Sequence, residues 1–109
     1  MSEEQIVLEQ LLQRATDSDV VLATILATRG SVPRHVGSKM IIDPQSGEMI
    51  GTIGGGCGEA DVIAAARDVA SSGQPQLIHV QLMDSIDSFS PAVCGGTMDI
   101  FIERVSARL

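Results

Sequence analysis

The chain predicts one small α/β domain: a mixed β-sheet of about five strands with two helices, and not a Rossmann fold. Three observations lead there. Two stretches carry apolar residues at helical spacing, and five short runs are rich in β-branched residues. Their order, helix then three strands then helix then two strands, is not a series of βαβ units. The 109 residues suffice for one hydrophobic core.

Ser2 followed by Gln5 has the spacing of a capping box, and Val7, Leu8, Leu11, Leu12 and Ala15 then recur at helical period. A helix over 3–16 is predicted, ended by Asp17-Ser18-Asp19. Val20 to Thr28 is a continuous apolar run, the pattern of a strand buried on both faces. Arg29 to Gly37 is a loop punctuated by Gly30, Pro33 and Gly37. Strands over 39–43 and 48–53, joined through Pro44-Gln45-Ser46-Gly47, form a hairpin. Residues 59–72 are helical, with Val62, Ala65, Ala66, Val69 and Ala70 facing inward and Gly73 and Pro75 as stop signals. A strand over 76–82 alternates Leu77, His79 and Gln81 against Ile78, Val80 and Leu82. A polar loop over 83–93 follows. The last strand, 97–105, sets Met98, Ile100 and Ile102 opposite Asp99, Phe101 and Glu103.

Composition narrows the function. Hydrophobic residues make up 44% of the chain, which places it among globular proteins. Aromatics are 2%, with no Trp or Tyr, which argues against base stacking or an aromatic cage. The net charge of −7 opposes nucleic acid and anionic membranes as partners. The N-terminus is acidic where a signal peptide would be basic, and no apolar run has the length of a membrane span. The two cysteines sit in glycine-rich contexts unlike a secreted disulfide framework, so a cytoplasmic location is expected.

Charge is unevenly placed. No acidic residue lies between Val20 and Ile42, whereas Arg29, Arg34, His35 and Lys39 all do. Such a stretch reads either as a solvated loop or as the basic side of an anion site. Gly51-Thr-Ile-Gly54-Gly55-Gly56-Cys57-Gly58-Glu59 runs from a strand through bare backbone to a helix start, where N–H groups and the helix dipole favour anions and thiolates. It is neither Gly-x-Gly-x-x-Gly nor a P-loop, and Glu59 and Asp61 compete for the same dipole end. Cys57 is therefore either a reactive thiolate or a small core residue. Cys94-Gly95-Gly96 repeats the pairing of cysteine with glycine. His35 and His79 do not complete a zinc set with the two cysteines, since no Cys-x-x-Cys pairing is present.

Three segments, 27–40, 51–59 and 93–103, together resemble the N-terminal domain of the XdhC/CoxI family. Its members are accessory proteins for molybdenum hydroxylases such as xanthine dehydrogenase and carbon monoxide dehydrogenase. The resemblance implies one domain over residues 1–109, without the Rossmann-type second domain of long members. It implies transient binding of molybdenum cofactor (molybdopterin), assistance in its sulfuration, and transfer to the apo-hydroxylase. Carried over by motif, the cofactor-binding residues are Arg29, Ser31, Arg34, Lys39, Gly54, Gly55, Gly56, Cys57, Glu59, Cys94, Gly95 and Gly96, with Cys57 as the metal contact. Expected partners are the apo-hydroxylase, a cysteine desulfurase, a separate Rossmann-domain protein and a second copy of the chain. Two rival readings accompany this carrier role: a sulfur-transfer enzyme with Cys57 as nucleophile, and a non-catalytic interaction module.

Overall fold

The computed structural model describes residues 2–15, 19–30, 35–51, 59–81 and 96–105. The elements are α1 (Glu3–Ala15), β1 (Val20–Arg29), β2 (Lys39–Ile42), β3 (Met49–Ile50), α2 (Glu59–Ser72), β4 (Gln76–Gln81) and β5 (Thr97–Val105). The five strands form one sheet in the order β3-β2-β1-β5-β4.

Two helices and five strands are as expected, but the sheet is antiparallel throughout rather than mixed. A helix between β3 and β4 suggested a parallel crossover between neighbours. These two strands instead occupy opposite edges, with β2, β1 and β5 between them. The centre of the sheet is the pairing of the first and last strands, from Val20↔Val105 to Arg29↔Thr97. The ladder shifts register between Ile25 and Ala27, leaving Leu26 as an extra residue in a bulge.

Local chemistry accounts for the ends of the elements. At the start of α1, the Ser2 backbone N–H donates to Gln5 Oε1 at 2.9 Å and the Gln5 N–H donates to Ser2 Oγ at 3.2 Å. This reciprocal pair is the capping box read from the sequence. In the β2–β3 turn, Asp43 Oδ1 accepts from the N–H groups of Gln45 at 2.9 Å and Ser46 at 3.3 Å, which closes the hairpin. At the end of α2, Gly73 adopts φ 75° and its N–H donates to the Val69 carbonyl at 2.8 Å. Arg104 on β5 donates to the neighbouring Ala70 carbonyl at 3.1 Å, satisfying a second helix-end acceptor.

Helices lie on both faces of the sheet. On one, Val62, Ala65, Ala66 and Val69 of α2 pack on Val21, Ala23, Ile25, Met40, Ile42, Val80, Met98, Ile100 and Ile102. On the other, Val7 of α1 packs on Val20, Leu22 and Ile41, with Leu11, Ile50 and Val105 alongside. The uninterrupted apolar run of β1 follows from this double burial. Helix α1 covers less than its apolar positions suggest. Leu8 is 44% exposed and Leu12 72% exposed, because its contacts reach β2 and β1 and leave β5 and β4 open on that side.

Candidate functional site

Strand direction decides where the three sequence motifs go. In an antiparallel sheet of this order, the C-terminal ends of β1, β3 and β4 and the N-terminal ends of β2 and β5 point the same way. The connections 30–38, 51–58 and 82–96 therefore all leave from one end of the sheet. These are the basic loop, the glycine-cysteine segment and the segment bearing Cys94. The C-terminus of α2 is held at the opposite end by Arg104 on β5, so its N-terminus, ~20 Å away, lies toward the motif end.

The end is stepped. Arg29 pairs with Thr97, and Gln81 also pairs with Thr97, so β1, β5 and β4 finish level. Lys39 pairs with Thr24, five positions earlier on β1, which places it ~15 Å back along the strand. The turn at His35–Ser38 fills part of the step. Gly37 N–H donates to the Ile25 carbonyl at 2.8 Å, and Ile25 N–H donates to the Ser38 carbonyl at 3.0 Å.

Arg29 is exposed, and Lys39 is half-buried with its Nζ donating to Thr24 Oγ1 at 3.4 Å. Register puts both on the sheet face away from α2, since their partners Thr97 and Thr24 alternate with Met98 and Ala23 of the α2-side core. The two cations share a face and an end without touching. Glu59 and Asp61 occupy the first turn of α2, behind the opposite face. Basic loop and helix start thus flank the sheet end from two sides.

Gly51 begins the glycine-cysteine segment at φ 87°. A Cβ there would stand 2.8 Å from the Lys39 carbonyl and 3.2 Å from Val7 Cγ2. The close approach presses the start of this segment against the start of β2, which a side chain would prevent. Gly96 is buried beside the start of β5. Ser31, Arg34, Gly54, Gly55, Gly56, Cys57, Cys94 and Gly95 lie outside the described residues.

One polar pair was not legible beforehand. His79 Nδ1 donates to Asp99 Oδ1 at 2.7 Å, cross-strand between β4 and β5, on the same face as Arg29 and Lys39. Strand alternation placed each residue on a face, but only the register of β4 on β5 sets them opposite. Among the described residues, no three His, Cys, Asp or Glu side chains gather as a metal-binding group. Nor is any described helix long and apolar enough to cross a membrane.

Comparison with known proteins agrees with this arrangement. The family described as "XdhC and CoxI family" matches residues 13–81. The chain is similar to the uncharacterized protein YqeB of Escherichia coli K12, with 35% identity over 81 residues, covering 74% of this chain and 15% of that protein. It is also similar to a crystal structure described as a xanthine dehydrogenase from Bacillus halodurans, with 31% identity and a TM-score of 0.77. That match covers all of this chain and 32% of the other, so the chain spans about a third or less of the proteins it resembles. The family match ends at residue 81, and the bacillar structure carries the likeness through the rest of the sheet. With its motif loops emerging from one end of a shared fold, the chain belongs to the XdhC and CoxI family.

Proposed function

We propose that this chain is an accessory protein for molybdenum hydroxylases of the xanthine dehydrogenase or carbon monoxide dehydrogenase type. It binds molybdenum cofactor, holds it while sulfur from a cysteine desulfurase is installed, and passes it to the apo-hydroxylase. The observation that carries the reading is the common departure of all three motif loops from one sheet end. Family membership and the bacillar neighbour support the link to hydroxylases.

The described donors suit an anionic ligand. Arg29 and Lys39 present two cations on one face of this end, with no acidic residue in the chain between them. Glu59 and Asp61 place negative charge at the start of α2 and disfavour an anion there. A cofactor phosphate is therefore held on the Arg29 side, where guanidinium geometry matches phosphate oxygens. Gly54, Gly55 and Gly56 offer backbone N–H groups without a side chain in the way. Cys57 supplies the sulfur contact to the metal, and Cys94 lies on the neighbouring loop. The bound cofactor brings the metal–dithiolene centre that the client needs. The chain's residues bind and orient it.

Equilibrium titration with isolated molybdenum cofactor tests this. Arg29→Ala weakens binding by about tenfold, the loss of one charge-assisted contact. Cys57→Ala weakens it as well, while Asp68→Ala, on the exposed side of α2, leaves it unchanged. Equal affinity in all four proteins refutes the assignment.

A further inference from the structure

The two edges of the sheet are finished differently. β3 is two residues long, and the Arg14–Glu48 ion pair at 2.6 Å closes the corner beside it. Shortness and charge are the usual devices that stop an edge from recruiting another strand. β4 has neither. Its six residues pair with β5 without a register shift, from Gln76↔Ile102 to Gln81↔Thr97. No proline interrupts it, and the chain has no Asp, Glu, Lys or Arg from Ser71 to Met83. Beside it on the face that α1 leaves open, Leu77 is 62% exposed next to the half-buried Phe101.

We infer that β4 pairs antiparallel with β4 of a second copy, joining the two five-stranded sheets about a twofold axis perpendicular to them. Charge selects this occupant. Two chains of net charge −7 repel, and this edge lets them meet with no like-charged side chains opposed. The pleat then limits the register. Residues opposite each other across an antiparallel pair share a face, so Leu77 can oppose only Leu77, His79 or Gln81 of the other copy. Centring the axis on Ile78 opposes Leu77 to His79 and Gln76 to Val80, and keeps the two imidazoles apart. Leu77 then lies between Phe101 of its own chain and His79 of the second copy. Ile78, half-buried against the α2 side of the core, meets its own symmetry mate.

Sedimentation velocity over a concentration series, with hydrogen exchange of the wild-type chain in parallel, tests the inference. The wild type dimerises with rising concentration, and β4 amides become more protected as it does. Leu77→Lys, folded by circular dichroism, dissociates at about tenfold higher concentration because each dimer carries the change twice. Ile78→Cys forms an intermolecular disulfide through residue 78, identified by mass spectrometry of the linked peptide. A monomer at every concentration overturns the inference. So does a dimer that Leu77→Lys leaves intact with no link through residue 78. If either variant fails to fold, β4 amide protection that does not depend on wild-type concentration is sufficient to reject it, as is protection gained only when another protein is added.

Discussion

Gly51 and Gly73 permit a controlled test of how the start of the glycine-cysteine segment is held. Both have left-handed backbone, φ 87° and 75°, and a Cβ added to either would come within 2.8 Å of another atom. The atoms differ in kind. At Gly51 it is the backbone carbonyl of Lys39, fixed in β2, with Val7 Cγ2 of α1 at 3.2 Å behind it. At Gly73 it is the far end of the Arg104 side chain, which can swing away at the cost of its bond to Ala70. Alanine at either site incurs ~1 kcal/mol for the backbone conformation. At Gly73 the lost hydrogen bond adds ~1 kcal/mol. At Gly51 the strand and helix must move, which adds ~1–3 kcal/mol as in other overpacked sites. The loss of unfolded-state entropy on Gly→Ala is common to both and cancels in the comparison. Urea unfolding of the two variants therefore separates them by ~1–2 kcal/mol, with Gly51→Ala the less stable and its Tm lowered by ~10–20 °C. Equal stabilities, or a Gly51→Ala protein as stable as wild type, would refute the claim that this segment is pressed against β2.

Other outcomes follow from the same geometry. Ile100, fully buried between the helix layers, loses ~3–4 kcal/mol on change to Ala, whereas Leu12→Ala, at a site 72% exposed, stays within ~0.5 kcal/mol of wild type in the same assay. Ser2→Ala removes one half of the capping box and costs ~0.5–1 kcal/mol, read as a lower denaturation midpoint with α1 frayed by hydrogen exchange. The Asp43 carboxyl is held below its ordinary pKa, chiefly by the Gln45 N–H, with Ser46 helping and partial burial opposing. A lowered folded value means that its contribution is complete above the unfolded carboxylate pKa, about 3.9, and is lost as pH falls through the folded value. The stability difference between wild type and Asp43→Ala, measured by urea unfolding across pH, therefore shrinks on acidification through this range. It is at most ~1 kcal/mol because the group is largely solvated. A difference that grows toward low pH contradicts the turn geometry.

Local patterns determined much of this molecule. The 59–72 helix and the 97–105 strand have the boundaries that periodicity, glycine and proline predict, since each depends on a single face and nearby stop signals. The capping box and the Asp43 turn are contacts between residues two or three apart and are likewise readable from the chain. The three motifs, with the resemblance they carry, pointed to the family before any coordinates did. Partnership between distant residues was decided by the tertiary structure. Each strand has two edges, and its own side chains do not say which other strand takes them. The pairing of β1 with β5, the placing of β3 and β4 at opposite edges and the His79–Asp99 contact all depend on that choice. The same choice made the sheet antiparallel, sent all three motif loops out of one end, and left Leu12 in solvent although its spacing marked it for the core. Helical and strand periods are encoded within a segment. Register and strand order are fixed by the joint burial of segments far apart in the chain.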